Sequence, residues 1–438
     1  MGQFIGFSTR GFLLITSMSL AGCMSLPGGD GNEVSRFKSS DPTSTLTARE
    51  KEASQSVIIS GLQARQSVLP NGGSFDQVAT SVMAANSRSA ESELRAARLR
   101  AEARSKNWLP TIGPSISLTS LGAVVASIVL DQVLFDHGRK KAERDFAKAD
   151  VEVAAVVLAQ DSNERVYTAL SLYITAQQAR ERAALSQASF KDMSHFEWIM
   201  EERVKGGVSD MSDLNVLRQK LAEIRSNQNA QTETAGASFA ELNAMSVRKL
   251  NGVSGMSGVS VRADAAQPLS VMLAEAEKER AIAEAVIARA GHLPGLGVSA
   301  TAGSNSSGPT LTAGSDTPIG FGTGASLKAI EAAKEGAGRK VSQAVEEANR
   351  RLARLQSEAQ AAERQAVEAQ KLTAQAKQNL DLFQSQYDAG QRQVMDVVGV
   401  YETFASAQQN EVQLKYRAVL SRLEIAQELG LLADGSEI

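Results

Sequence analysis

The stretches WLPTIG at residues 108–113 and HLPGLG at residues 292–297 decide the fold of this chain. Each contains Leu-Pro after a segment rich in Ala, Glu and Arg, and the two stretches lie 184 residues apart. A second pair of anchors agrees, because Gly207 corresponds to Gly390 at an offset of 183 residues. Agreement of two independent anchors to within one residue predicts an internal structural repeat of about half the chain.

Residues that follow each Leu-Pro alternate between apolar and polar, which is the period of a β-strand. Ile112 and Ile116 show this alternation in the first half, and Leu296 begins the same pattern in the second. We therefore predict β-hairpins at residues 111–135 and 295–321, with less regular return strands. Strands of about 9–11 residues with one apolar side suit a transmembrane β-barrel, which has lipid outside and water inside.

Two very long helices follow the hairpins. Between Gly138 and about Lys205 there is no Pro and no internal Gly, and the corresponding stretch, about 325–389, is interrupted only by Gly336 and Gly338. Such a helix would be on the order of 100 Å long. Ala-rich helices of this length cannot enclose a globular core, so they must pack side by side as coiled coils. The predicted fold class is mainly α with a small β part.

The first residues read as a bacterial lipoprotein signal. An apolar stretch follows Arg10 and ends in the run LAGC, which resembles a lipobox and places the only Cys of the chain, Cys23, at the lipidation position. Met24 follows where an Asp would favour retention in the inner membrane, so we expect an outer-membrane location. The predicted organisation is a signal peptide at 1–22, a lipidated tether at 23–70, a first repeat at 71–250, a linker at 251–268, a second repeat at 269–432 and a tail at 433–438.

Composition excludes several classes of function. The chain of 438 residues carries a net charge of -3, so it has no polycationic surface of the kind that binds nucleic acid. One Cys and 3 scattered His residues predict no metal site, and no spacing predicts a cofactor or a catalytic nucleophile, so we expect no enzyme. The sequence contains no run of 18 or more apolar residues, which a transmembrane helix would need.

The strand count requires more than one chain. Four strands cannot close a barrel, and lipid does not tolerate an open sheet edge. Three chains would supply 12 strands, an even number within the range of outer-membrane barrels. We therefore predict a homotrimer with a 12-stranded barrel.

These signals together resemble the TolC family of outer-membrane efflux channels over nearly the whole mature chain. The matching features occur in order along both halves: the helix that ends in Leu109-Pro110, the strand exit QVLFDHGR at 132–139, the segment GHLP at 291–294, the second strand exit Pro318-Ile319, the turn YDAG at 387–390 followed by MDV at 395–397, and ELGL at 428–431.

The resemblance implies a homotrimer whose barrel crosses the outer membrane and contacts its lipid, and whose helical tube crosses the periplasm. It implies partners as well, namely a periplasmic adaptor protein and an inner-membrane pump of the RND or ABC type, in drug efflux or type I protein secretion. The tube would be gated at its periplasmic tip. The corresponding residues are Ser212 and Asp213 as acceptors, Tyr387 and Arg392 as donors, Asp396 in a ring of carboxylates at the aperture, and the turn glycines Gly207 and Gly390.

Three alternatives stay open at the sequence level. An elongated coiled-coil lipoprotein without a pore would share the helices, although it has no need of paired strand segments. Asp213 and Asp396 could be solvated residues in the first turn of a helix, and Asp210 could cap the first of these helices. The basic cluster at 139–144 could hold lipid headgroups or be a solvated helix start. The family often has a second acidic residue where this chain has Gly399, so the departure implies a weaker cation filter or a differently shaped aperture.

Overall fold

The computed structural model describes residues 56–85, 89–118, 124–262, 264–303, 307–317 and 320–437. The predicted signal peptide, the lipidation site Cys23 and the strand exit Pro318-Ile319 lie outside these residues. The helices of the described chain are α1 (Val57–Gln63), α2 (Ser74–Met83), α3 (Ser89–Ser105), α4 (Arg139–Lys205), α5 (Met211–Met245), α6 (Leu269–Gly291), α7 (Thr323–Asp388) and α8 (Val394–Glu428). The strands are β1 (Thr111–Leu118), β2 (Val124–Phe135), β3 (Gly295–Gly303) and β4 (Ser307–Gly314), and a short 3-10 helix covers Gly435–Glu437.

The internal repeat is visible in the helix lengths. Helices α4 and α7 have 67 and 66 residues, and α5 and α8 have 35 residues each. Each long helix begins after a β-hairpin and ends in a glycine turn that leads into the shorter helix. Gly336 and Gly338 do not interrupt α7, because neighbouring Ala, Lys and Glu residues favour the helix strongly enough to accommodate them. None of the described helices is both long and apolar enough to cross a bilayer.

The four strands form one antiparallel sheet in the order β1-β2-β3-β4. Their register aligns the apolar positions across the whole sheet: Ile112 lies opposite Leu130, Leu130 opposite Ala300, and Ala300 opposite Pro309. Residues opposite one another share a face, so one face of the sheet is apolar on every strand. The apolar side chains on β1 are exposed, as Ile116 shows with 74% of its surface accessible, whereas Leu296, Val298 and Ala300 of β3 are half-buried.

The opposite face of the sheet is polar. Asp131 lies opposite Thr111 and Ser299, and Ser299 lies opposite Thr310. Val129 shares this face, which accounts for the less regular alternation of β2. Strands β1 and β4 are the two edges, and neither pairs with another strand on its outer side in the described chain.

The second hairpin is shorter than the sequence predicts. We expected it to extend to residue 321, but β4 ends at Gly314. A polar turn follows, in which the Ser315 hydroxyl donates to the carbonyl of Thr317 at 2.9 Å. The amide of Thr317 donates to the carbonyl of Gly291 at 3.0 Å, which draws the chain away from the sheet and towards the end of α6.

Residues 56–70 differ from the extended tether that the sequence predicts. They include α1, whose Leu62 is fully buried. The amide of Val68 donates to the carbonyl of Leu431 at 2.9 Å, and the amide of Gly435 donates to the carbonyl of Arg65 at 3.0 Å. The two ends of the described chain are therefore hydrogen-bonded to each other. Both the end of the predicted tether and the predicted tail belong to the folded body.

Helix α4 is the central element of the helical body. It packs against α5, which has about half as many residues, and also contacts α3, α6 and α8. Helix α7 packs against α8 and α6. The segment between α5 and α6 is longer than the predicted linker, since it begins at residue 246, and it packs on this body. Its residue Leu250 is fully buried, and the carbonyl of Gly255 accepts a hydrogen bond from Tyr173 at 2.7 Å.

Candidate functional site at the helical turns

The two glycine turns have the same backbone geometry. Gly207 and Gly390 have φ angles of 71° and 74°, in the left-handed region that glycine adopts without steric cost. In each turn the glycine amide donates to the carbonyl three residues earlier, and the next amide donates to the carbonyl five residues earlier, at 2.8–3.0 Å. This pair of bonds is the Schellman motif, which ends a helix and reverses the chain.

Substituting either turn glycine is expected to destabilise the turn. Gly207→Ala or Gly390→Ala should lower the free energy of unfolding by about 1 kcal/mol, because a side chain disfavours positive φ. Gly236→Ala is the matched control, since Gly236 lies within α5 with open space around it and should stabilise the helix by about 0.5–1 kcal/mol. The midpoint of thermal unfolding in detergent would measure both effects, and equal midpoints for the three variants would contradict the assignment.

Different residues cap the two helices that follow the turns. Asp210 caps α5 by accepting a hydrogen bond from the amide of Ser212 at 3.2 Å, so Asp213 is not needed for capping. Gln393 and Asp396 form a capping box at the start of α8, in which Asp396 Oδ2 accepts from the amide of Gln393 at 3.2 Å. Asp396 is exposed, so its carboxylate both caps the helix and remains accessible to solvent.

Apolar packing places the two turns side by side. We call the buried residues at this end of the helices the tip cluster. Its members are Met193, Phe196 and Met200 of α4, Leu214, Leu217 and Leu221 of α5, Leu380 of α7, and Val394, Val397, Val398 and Tyr401 of α8. Because all four long and short helices contribute, the tip cluster fixes the position of every predicted gate residue.

The predicted gate residues are not paired with one another within the protomer. Arg392 Nε donates to Gln386 Oε1 at 3.0 Å, and its guanidinium lies 4.5 Å from the centre of the Phe383 ring. Tyr387 packs against the tip cluster. In the described protomer no ion pair joins Arg392 to Asp213, which is half-buried.

Two other polar contacts join the helices of the first repeat to α8 near the turns. Lys220 of α5 forms an ion pair with Glu402, and the hydroxyl of Tyr401 donates to Asp192 Oδ2 of α4 at 2.7 Å. We call these two contacts the tip links. The sequence analysis did not identify them, although the spacing of Val394, residues 397–398 and Tyr401 is that of the buried face of a helix and could have located α8's contact side.

Further contacts continue between α4 and α8 away from the tip. Glu181 accepts from the Tyr416 hydroxyl at 2.8 Å and pairs with Lys415 at 2.9 Å. Tyr167 donates to Glu424 at 3.2 Å. Burial, with Glu424 as a second cause, raises the pKa of Tyr167 to about 12.

Burial also raises the pKa values of the Tyr401 and Tyr416 hydroxyls, with smaller effects from Asp192 and Glu181. All three tyrosines that bridge α4 and α8 therefore stay protonated at neutral pH. They act as hydrogen-bond donors to carboxylates on the facing helix, which makes these bonds charge-assisted.

The basic cluster below the sheet is largely engaged by other side chains. Arg139 pairs with Asp316 and lies 3.3 Å from Glu143, and Lys140 lies 3.8 Å from the same carboxylate. Arg144 donates to the side chain of Asn107 at 3.1 Å. This pattern favours a structural helix start over an anionic headgroup site. No group of three His, Cys, Asp or Glu in the described ranges could hold a metal ion.

Comparisons with known proteins agree with this architecture. The family model for outer membrane efflux proteins matches residues 265–431, which cover the second repeat. A membrane protein from Pseudomonas aeruginosa superposes with a TM-score of 0.72 at 15% identity, over 84% of this chain and 92% of that chain. The outer membrane protein VceC from Vibrio cholerae gives a TM-score of 0.67 at 14% identity, over 83% and 96%.

A third structure, the open state of the Neisseria gonorrhoeae MtrE outer membrane channel, gives a TM-score of 0.66 at 15% identity, over 87% of this chain and 95% of that chain. No curated protein matches the chain. Identities at this level show the fold, so the predicted fold of long helices with a small sheet is confirmed. Together with the family model over residues 265–431, they confirm the predicted resemblance to the TolC family.

Proposed function

We propose that three copies of this chain form a channel across the outer membrane that continues as a helical conduit into the periplasm. The single observation that carries the proposal is the sheet, whose apolar face runs across all four strands and whose two edges are open. An open edge is not stable in lipid, whereas strand β1 of one copy can pair with β4 of the next until 12 strands close a barrel.

The channel would serve a tripartite assembly, with a periplasmic adaptor and an inner-membrane pump of the RND or ABC type. The family match to efflux proteins and the likeness to outer-membrane channels support this role. A passive conduit of this kind needs no catalytic residue, because the pump supplies the energy. The cargo would be a small molecule in drug efflux or an unfolded protein in type I secretion.

Conductance in a planar bilayer, recorded alongside the mass of the detergent-purified particle, tests the proposal. Discrete conductance steps from a particle of three chains are the expected result. A silent, elongated particle would instead indicate a coiled-coil lipoprotein without a pore and would overturn the proposed function.

We further propose that the helical turns are the gate, with Ser212, Asp213, Tyr387 and Arg392 contributing between copies. Asp213 has no ion-pair partner within the described protomer, and Arg392 is exposed at the neighbouring turn. A charge-assisted hydrogen bond from Arg392 to Asp213 of the adjacent copy would give each of these charged groups an oppositely charged partner. Such a bond contributes about 1 kcal/mol when exposed and more when shielded, which suits a closed state that must yield to a docking partner.

Asp396 is proposed to form a ring of three carboxylates at the aperture. Asp396→Asn should weaken block of the channel by a trivalent cation on the order of tenfold, because the negative potential on the axis is removed. Glu346→Gln is the control, as Glu346 is an exposed acid far from the turns on α7. Current–voltage recordings with increasing cation concentration would measure the block, and wild-type block in Asp396→Asn would place this carboxylate away from the axis.

Lipidation of Cys23 remains a prediction of the sequence. Cys23→Ser should abolish incorporation of radiolabelled palmitate, since no other cysteine is present to carry the thioether-linked lipid. Ser25→Ala is a neutral control two residues later. Continued labelling of the Cys23→Ser variant would show that the LAGC run is not a lipobox.

A further inference from the structure

Two Asn-Gly pairs lie in exposed turns away from the sheet. Asn71-Gly72 precedes α2, and Asn251-Gly252 lies in the connection between α5 and α6. All four residues are exposed. An asparagine before glycine is prone to lose its side-chain amide, because glycine carries no side chain that would hinder attack by its own backbone nitrogen. Each pair is therefore a candidate site of spontaneous covalent modification.

The modification follows a fixed order of bond changes. The backbone nitrogen of the glycine attacks the side-chain carbonyl carbon of the asparagine, so that a new C–N bond forms while the side-chain nitrogen leaves as ammonia. The glycine N–H proton passes to solvent, and the departing nitrogen takes a proton from solvent. Water then opens the cyclic imide at either carbonyl and leaves aspartate or isoaspartate. The reaction consumes water, releases ammonia and transfers no electron.

The structure leaves the reacting atoms of the Asn251 pair available and assists one of them. Among the described residues no hydrogen bond engages the Gly252 amide, and a Cβ added to Gly252 would meet nothing within 4 Å. The side-chain amide of Asn243 donates to Asn251 Oδ1 at 2.5 Å, and Asn243 Oδ1 accepts from the Leu250 amide at 2.8 Å. Attack on the carbonyl carbon places negative charge on Asn251 Oδ1, so a donor already fixed there stabilises it.

The Asn71 pair has the opposite environment. The amide of Gly72, which would have to attack, donates to Asp76 Oδ2 at 2.8 Å. Loss of its proton beside a carboxylate is disfavoured, because two like charges would then face each other. The carbonyl of Gly72 accepts from Gln77 Nε2 at 3.2 Å, so both polar groups of this backbone unit are engaged. The same dipeptide is therefore protected in one turn and reactive in the other.

The surroundings of Asn251 give the modification a structural consequence. Arg180 of α4 donates to the main-chain carbonyl of Asn251 at 3.2 Å, so a new carboxylate at position 251 forms beside a cation. Isoaspartate also adds one atom to the backbone between the fully buried Leu250 and Val253, whose carbonyl accepts from Gln177 at 3.0 Å. The modification thus changes both the charge and the length of a connection that is fixed on either side.

We propose that Asn251 is a site of spontaneous deamidation in the folded protein, where the contact from Asn243 promotes the reaction, and that Asp76 suppresses the same reaction at Asn71. The inference goes beyond the proposed function and does not depend on it, since it concerns only the chemistry of two turns. It assigns an ageing process to the connection between the repeats, in which aspartate or isoaspartate accumulates with time after synthesis.

Peptide mass spectrometry of the full-length protein tests the proposal. The purified protein would be incubated in detergent in heavy-oxygen water, so that each product acquires a heavy oxygen from the water that opens the imide. Trypsin then releases residues 66–88 with Asn71 and residues 250–262 with Asn251. Fragment ions locate the label and separate aspartate from isoaspartate. The two free peptides, incubated in parallel, give the rate of each pair without the fold.

We expect labelled product to accumulate several-fold faster at Asn251 than at Asn71 in the folded protein, and at similar rates in the free peptides. Asn243→Asp keeps the acceptor for the Leu250 amide but loses the donor to Asn251, so it should slow the reaction at Asn251 several-fold. Equal rates at the two sites, or a faster reaction at Asn71, would overturn the assignment. An unchanged rate at Asn251 in Asn243→Asp would overturn the role of Asn243.

Asp76→Ala is the reciprocal variant. It removes the acceptor of the Gly72 amide and should raise the rate at Asn71 several-fold, towards that of the free peptide. The rate at Asn251 should stay the same, which shows that the rest of the fold is intact. A rate at Asn71 that remains low in this variant would contradict protection by the carboxylate.

Discussion

Removing both tip links is expected to shift the channel towards its open state and so to raise single-channel conductance or open probability. The variant is Tyr401→Phe with Glu402→Gln, which keeps the size of both side chains. It deletes the donor to Asp192 and the charge that pairs with Lys220. If opening separates α8 from α4 and α5, both contacts stabilise only the closed state.

The expected size follows from the exposure of each contact. The ion pair is partly exposed, with 26% and 40% of the two side chains accessible, so it contributes no more than about 1 kcal/mol. The buried Tyr401 hydroxyl donates to a charged group, which contributes about 1.5 kcal/mol. A combined loss of about 2 kcal/mol in each of three copies changes the ratio of closed to open channels by well over tenfold.

An ion pair between α4 and α5 provides a matched control. Arg218 of α5 pairs with Glu197 of α4 at 2.9 Å, at a similar distance from the turns, but within the first helix pair. Glu197→Gln therefore removes a comparable ion pair that opening does not separate, and its conductance should equal that of the wild type. Wild-type conductance in the Tyr401→Phe, Glu402→Gln variant would show that α8 does not part from α4 and α5 on opening.

Arg65→Met is expected to lower the free energy of unfolding by about 3 kcal/mol, because it removes several bonds to a buried charge. Arg65 is only 8% exposed. Its guanidinium donates to the carbonyl of Leu429 at the end of α8, to the carbonyl of Gln267 at 2.6 Å and to the sulfur of Met272 at 2.8 Å. It thus ties the N-terminal segment, the C-terminal end of α8 and the connection between the repeats.

The helix end explains why a cation is stable at this position. Leu429 caps α8, and the carbonyls at a helix C-terminus carry partial negative charge. Burial lowers the pKa of Arg65 to about 10, so the side chain is still protonated at neutral pH. The hydrogen bonds from Arg65 to the carbonyls of Leu429 and Gln267 therefore involve a full positive charge at neutral pH.

Two further variants make this prediction specific. Arg65→Lys keeps the charge but cannot reach three acceptors at once, so it should retain only part of the stability. Arg262→Ala removes an exposed arginine that pairs with the exposed Asp264 and should change the free energy of unfolding by less than about 0.5 kcal/mol. The free energy of unfolding of all three variants would be measured in detergent. A loss for Arg65→Met close to that for Arg262→Ala would contradict the role of Arg65 in joining the two ends of the described chain.

The sequence by itself determined the features that depend on local periodicity. The alternation after Pro110 and Pro294 specified strands because side chains of a strand point to opposite faces at a period of two. The absence of Pro between Gly138 and Lys205 specified one continuous helix, because Pro within a helix removes a backbone hydrogen bond and kinks or breaks it. The turn glycines were identifiable because no other residue adopts positive φ at so little cost.

Only the tertiary structure decided which side chains meet across elements. Lys220 and Glu402 lie 182 residues apart in the sequence. Their contact depends on how each helix is rotated about its axis and how far the two helices are shifted along each other. Neither quantity can be read from spacing along the chain, since any acidic residue on the same face of α8 fits the pattern equally well. Arg65 became part of the fold for the same reason: its acceptors are main-chain carbonyls, which every residue possesses and which no sequence pattern distinguishes.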